Sequence, residues 1–100
     1  MTNQKVYDYF FKVIWTKSFI AIAVDKCYKS KKIPLTTFYF WPREDGWKLL
    51  EKELESKPWI PEKDKISILN DYTNLINAWI NRLNGNLNTF PKSNFQIIGQ

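Results

Sequence analysis

The stretch Thr36–Leu50, "TTFYFWPREDGWKLL", changes its period half-way along. Its first six residues are β-branched or aromatic, which predicts a strand over Thr36–Trp41. Strand alternation sets Phe38 and Phe40 on one face and Tyr39 and Trp41 on the other. Beyond Arg43 the apolar residues recur at Trp47, Leu50 and Leu54, a helical spacing, and Leu49 widens the stripe. Pro42 suits a first helical turn, where its missing N–H is no loss. Glu44 and Asp45 suit the positive end of the helix dipole. The rings resemble in chemistry the stacking faces of RNA-binding sheets, but the glycine-bearing pattern of those sheets is missing. A strand with large rings on both faces is expected instead to be sandwiched, with Phe38 and Phe40 inward and Tyr39 and Trp41 against the helices or a neighbour. Trp47 is expected to anchor the helix, and Trp15, Trp59 and Trp79 to complete the same core.

Upstream, "FFKVIW" (Phe10–Trp15) reads as a strand. Three polar residues follow, and then "FIAIAV" (Phe19–Val24) places Ile20, Ile22 and Val24 on one face and two alanines on the other. The pair is expected to be an antiparallel hairpin, although no glycine marks its turn. Residues Asp25–Pro34, "DKCYKSKKIP", are polar and basic and read as a short helix or a loop. Downstream, a second helix is expected from about Pro61. Its stripe is Ile66, Leu69, Thr73, Ile76, Ile80 and Leu83, widened by Tyr72, Leu75 and Trp79. Gly85 is its expected stop. The sum is an α+β fold: a small three-stranded antiparallel sheet, made of the N-terminal hairpin and the Thr36–Trp41 strand, packed with two amphipathic helices. Residues 1–83 are expected to form one domain. Residues 84–100 are expected to form an extended, Asn-rich tail that orders only on docking.

Charge points outward from this scaffold. The chain of 100 residues carries +5 at an isoelectric point of about 9.4. Residues 1–42 account for +5 of it, residues 43–66 carry −1 and residues 67–100 carry +1. A basic half favours a polyanionic partner. Lys26, Lys29, Lys31 and Lys32 cluster, Lys12 and Lys17 add to the same half, and such groups suit phosphates in a salt-sensitive, sequence-independent way. Arg43 brings a planar fork that matches phosphate or carboxylate. These seven residues are the candidate nucleic-acid contacts.

Catalytic classes find little support. There is no histidine, and the single cysteine, Cys27, lacks a base and reads as a small, partly buried side chain. Glu51 and Glu55 share a helical face but stand among lysines. Three glycines cannot build a phosphate-binding loop, and no zinc-ligand spacing occurs, so no cofactor and no metal are expected. The longest apolar run, Phe19–Val24, is far short of a membrane span. The first ten residues lack the character of a signal or transit peptide, so the protein is expected to be made where it works. Lysine outnumbers arginine thirteen to two, and Ile, Asn, Phe and Tyr are plentiful, a bias of AT-rich coding. An organelle genome or an AT-rich bacterium accounts for it equally.

The segments "FIAIAVDK", "PLTTFYFWPREDGWKLLEKELESKPWI" and "EKDKISILNDYTNLINAW" resemble the third of the plastid-specific proteins of the chloroplast small ribosomal subunit, a family found also in cyanobacteria. The likeness runs from about Phe10 to Trp79. It implies a structural, non-catalytic component of the plastid small subunit, seated on ribosomal RNA and neighbouring ribosomal proteins, with no small-molecule substrate and no membrane. Together with the composition it implies a plastid-encoded copy, the cyanobacterial cytoplasm being the alternative. The rival reading is a protein–protein adaptor or translation-associated factor that uses the mixed-charge helix over residues 43–57.

Overall fold

The computed structural model describes residues 9–81 and 95–99. Strands β1 (Tyr9–Trp15) and β2 (Ile20–Tyr28) form the antiparallel hairpin, with Val13 opposite Ile22 and Trp15 opposite Ile20. A threonine does the work of the missing turn glycine. The Thr16 hydroxyl accepts from the backbone N–H groups of Ser18 (3.2 Å) and Phe19 (2.9 Å) and donates to the Phe19 carbonyl (2.8 Å). The hairpin buries Phe11, Val13, Ile20, Ile22 and Val24 on one face.

The basic segment after Asp25 is neither helix nor loop. β2 runs on to Tyr28, turns at Lys29 and Ser30, and returns as β3 (Lys31–Pro34), pairing Asp25 with Pro34 and Tyr28 with Lys31. Both turn residues have positive φ, 49° and 70°, as a tight hairpin with primed-turn geometry demands. The alternating apolar signal is missing because this hairpin projects past the helices: all four β3 residues are exposed, and so is Tyr28. β4 is shorter than expected, Tyr39–Trp41, and pairs with the other end of the same β2 edge, Trp41 opposite Ile20. Between β3 and β4 the chain kinks. Leu35 and Thr36 both donate to the Val24 carbonyl (2.9 and 3.2 Å), and the Thr36 hydroxyl accepts from the Val24 N–H (3.0 Å). A side chain thus closes the ladder where the backbone departs.

The first helix, α1 (Gly46–Glu55), starts later than Pro42. Asp45 is its N-cap, accepting from the Lys48 N–H at 3.2 Å. Pro42–Glu44 form a separate turn after a cis Trp41–Pro42 bond. This turn is closed by a reciprocal pair: the Phe40 N–H donates to the Glu44 carboxylate (2.9 Å) and the Glu44 N–H to the Phe40 carbonyl (2.8 Å). α1 buries Leu50 and Leu54 but leaves Trp47 (39 % exposed) and Leu49 at the surface. The second helix, α2 (Glu62–Ile80), is buried along Ile68, Tyr72, Leu75 and Trp79, the i, i+4, i+7, i+11 line, with Ile76 and Ala78 beside it. The expected stripe is therefore rotated: Ile66 and Ile80 are exposed. The largest rings decide the orientation, because Trp79 must also donate its Nε1–H to the Thr16 carbonyl (2.8 Å) at the first hairpin turn. α2 is capped at Asn81; Leu83 and Gly85 lie outside the described residues.

The α+β architecture holds, with more strands than the three expected. The sheet order is β3-β2-β1-β5, with β4 also on β2. β5 (Phe95–Gly99) comes from the tail and pairs parallel with β1. The rest of the tail lies outside the described residues. Of the tryptophans, Trp79 is buried and Trp15 and Trp41 pack on the core, whereas Trp59 (58 % exposed) and Trp47 do not complete it.

Candidate nucleic-acid interface

Helices and strands divide the sheet into two unlike faces. Phe11, Val13, Ile20, Ile22, Val24, Tyr39 and Trp41 belong to the face that packs with Leu50, Leu54, Ile68, Tyr72 and Trp79 of the helices. Alternation and register place Phe10, Lys12, Ala21, Ala23, Asp25, Lys32 and Phe40 on the reverse face. Phe38 and Phe40 are thus not turned into the helical core; they lie half-buried on the face that carries no helix among the described residues, where Ala21, Ala23 and Asp25 are themselves buried beneath longer side chains.

On that open face cations and rings interleave. Lys32 Nζ stands 4.3 Å from the Phe10 ring centre, Lys12 Nζ 6.0 Å from that of Phe38, and the Arg43 guanidinium carbon 5.7 Å from that of Phe40. Such contacts hold a long cationic side chain flat without removing its charge. Phe19 adds a ring 5.4 Å from Phe40, tilted by 53°. The charges are not equal in status. Lys12 pairs with the buried carboxylate of Asp25 (Nζ to Oδ2 3.5 Å; Asp25 2 % exposed), so part of its charge is spent inside the fold. Among the described residues, Lys32 and Arg43 have no carboxylate within ion-pair distance.

The seven candidate residues do not form one patch. Lys12, Lys32 and Arg43 share the open face. Lys17 is exposed in the β1–β2 turn, at the same end of the sheet as β4. Lys29 sits at the tip of the second hairpin, 5.4 Å from the Tyr28 ring. Lys26, over the Tyr9 ring at 5.0 Å, and Lys31, paired with Tyr28, alternate toward the other side. Charge reasoning on the sequence does not reach the rings beside these cations, Phe10, Phe38 and Phe40, nor Phe19 next to them. The signal was available for three of them: Phe10 is two residues from Lys12, and Phe38 two from Phe40, so each pair shares a strand face.

Titration effects centre elsewhere. Burial raises the Tyr72 phenol to about 12, helped by the negative charges of Asp45 and Glu44. Burial also raises Tyr39, with Glu53 and Glu44 adding to it. Both groups hold their protons at neutral pH and support no acid–base chemistry there. No helix among the described residues is long and apolar enough to cross a membrane.

Residues 35–82, from the kink through α2, match the family described as plastid and cyanobacterial ribosomal protein (PSRP-3 / Ycf65). Over 70 residues the chain is 50 % identical to a probable small ribosomal subunit protein cS23 of Synechococcus sp. (strain JA-3-3Ab), covering 70 % of this chain and 71 % of that protein. The chain belongs to this ribosomal protein family. It is 49 % identical over 69 residues to small ribosomal subunit protein cS23 of Gracilaria tenuistipitata var. liui, covering 69 % of this chain and 70 % of that protein. It is also 44 % identical over 69 residues to cS23y of Arabidopsis thaliana, covering 68 % of this chain and 38 % of that longer protein. Members of a plastid and cyanobacterial ribosomal family are structural components, and this chain is not an enzyme. The family match takes in Phe38, Phe40 and Arg43 of the open face, while Phe10, Lys12 and Lys32 lie upstream of it.

Proposed function

We propose that this protein is a structural component of the plastid small ribosomal subunit, plastid-encoded, that lays its open sheet face on ribosomal RNA. The observation that carries the proposal is the interleaving of Lys12, Lys32 and Arg43 with Phe38, Phe10 and Phe40 on the sheet face that no helix among the described residues covers. Cations above rings present charge at a fixed height, which suits the phosphates of a folded RNA surface better than mobile lysines would. Lys17 and Lys29, at opposite ends of the sheet, extend the cationic edge. Lys26 and Lys31 face away from that surface and contribute through the general positive field. A plastid genome is one of the two sources that fit the AT-rich composition, and the cyanobacterial cytoplasm is the other home of the family.

The helical layer is suited to protein neighbours. Residues 43–66 carry −1 against +6 for the rest of the chain, and Trp47, Leu49, Trp59 and Ile66 are exposed there. Exposed tryptophan is the side chain enriched at the centre of protein interfaces, and the balanced charges of both signs around it suit a polar rim. This keeps the adaptor reading as a second contact made by the same protein.

The two surfaces differ in salt response. With about three phosphates neutralised, affinity for naked small-subunit RNA should fall roughly 20- to 40-fold between 50 and 200 mM salt. Filter binding with the purified chain measures this. A salt-independent affinity contradicts the RNA reading and leaves the adaptor.

A further inference from the structure

We propose that the hollow bounded by Ser18, Phe19, Phe40, Pro42 and Arg43 receives a single unpaired nucleotide of the RNA, its base against the phenylalanine rings and its phosphate on Arg43. The inference rests on the RNA-docking reading above and adds to it a defined subsite.

The hollow has a volume of about 360 Å³ and lies at the end of the open face where the first hairpin turn meets the β4–α1 turn. Its walls are flat and apolar: two half-buried rings at 53° to each other, and a proline. Apolar walls alone select nothing. The selectivity comes from Arg43, whose fork is left for an outside anion because both neighbouring acids are engaged. The Glu44 carboxylate holds the Phe40 N–H and the Asp45 carboxylate holds the Lys48 N–H. Arg43 itself has no carboxylate within 4 Å among the described residues. A cation at the lip of an aromatic cleft is the pairing that a base and its phosphate require together. Ser18, exposed in the hairpin turn, adds a hydroxyl that makes no hydrogen bond among the described residues and stands ready for a base edge. The remaining open face leads away from this hollow toward Lys12 and Lys32. Six steps along β2, from Ala21 beside Phe40 to Cys27 beside Lys32, give it a length of about 20 Å. An RNA strand entering the hollow therefore has a cationic path to follow.

The nucleotide must be unpaired. In a double helix the base faces are stacked on one another and only edges and backbone are offered. A bulged or loop base offers a free face, and stacking it on an aromatic side chain is worth roughly 5- to 150-fold in affinity.

The test compares two probes on the full chain at 50 mM salt: an eight-nucleotide single-stranded RNA and a duplex RNA, by fluorescence anisotropy. Phe40→Leu keeps an apolar side chain and removes the ring. It should weaken single-strand binding about tenfold and duplex binding, which loses only the ring that steadies Arg43, at least threefold less. Arg43→Lys, on an exposed turn, keeps the charge and removes the fork; it should weaken single-strand binding about threefold, and it supplies the answer should Phe40→Leu lose its fold by circular dichroism. Wild-type single-strand affinity in both variants, or an equal loss for both probes, overturns the subsite while RNA docking stands. Failure of the wild-type chain to bind either probe overturns the docking reading, and the subsite with it.

Discussion

Gly46 opens α1 directly behind the turn that carries Arg43, and its replacement by alanine separates two physical forces of opposite sign. Helix propensity favours alanine over glycine by up to about 1 kcal/mol. Packing opposes it. A methyl group at position 46 would overlap the Tyr72 hydroxyl oxygen outright, and would stand 3.0 Å from Tyr72 Cζ and 3.3 Å from Tyr39 Cβ. Tyr72 is buried and cannot swing into solvent, so either α1 or α2 must shift. Overpacking of this kind costs about 1–3 kcal/mol. Sterics should win, and Gly46→Ala should lose about 2 kcal/mol, a fall in Tm of about 10 °C for a domain of this size. The oxygen at fault can be removed independently. It is buried and makes no hydrogen bond among the described residues, so Tyr72→Phe alone should be neutral or stabilising by up to about 1 kcal/mol. In the double variant only the 3.0 Å approach to the Tyr72 ring and the 3.3 Å approach to Tyr39 Cβ remain, and most of the loss should return, giving a coupling of about 1–2 kcal/mol. Urea titrations of the four proteins measure the cycle. A Gly46→Ala protein as stable as wild type, or a double variant no better than Gly46→Ala, refutes the wedge.

Three further outcomes follow from other contacts. Because the folded-state pKa of Tyr72 is raised to about 12 while the unfolded value is 10.0, its contribution is complete below pH 10 and lost as pH rises toward 12; between pH 9 and 11 wild type should lose about 1 kcal/mol more than Tyr72→Phe, read from urea midpoints. Lys12→Met should destabilise by about 1–3 kcal/mol, since it strands the buried Asp25 carboxylate, whereas Lys32→Met should change stability by less than about 0.5 kcal/mol; thermal melts of the two, differing in this order, check it. Lys29→Asn with Ser30→Gly suits the positive φ angles of the second hairpin turn and should raise stability by about 1 kcal/mol while weakening RNA binding through the lost charge; a destabilised double variant rejects the turn assignment.

The sequence made the alternating and helical segments readable and hid what depends on non-local partners. β1, the start of β2 and both helices announce themselves because one side of each is buried against the core. The second hairpin does not, because it extends beyond the helices and both its faces meet water, so its residues follow charge rather than burial. The face of β4 is a related case. Tyr39 and Trp41 carry more bulk than Phe38 and Phe40, but only the kink at Leu35–Thr36 and the register with Ile20–Ile22 decide which pair meets the helices. In α2, Trp79 turns inward because the carbonyl of Thr16 waits for its indole N–H, a partner 63 residues away. The basic character of the candidate site was legible. Its division into Lys32 and Arg43 on the open face, Lys12 tied to Asp25, and Lys26 and Lys31 alternating away was not, since alternation can be applied only once the strand limits are fixed.

The open sheet face, rather than total charge, is expected to seat the protein on its subunit. Co-sedimentation with small ribosomal subunits at 150 mM salt compares two variants of equal charge: Lys32→Ala with Arg43→Ala on the open face, and Lys48→Ala with Lys52→Ala on α1. The open-face pair should reduce the bound fraction at least tenfold, and the helix pair should leave it near wild type. Equal losses in both would reduce the interface to net charge, and a larger loss in the helix pair would place the docking surface on the opposite side of the molecule.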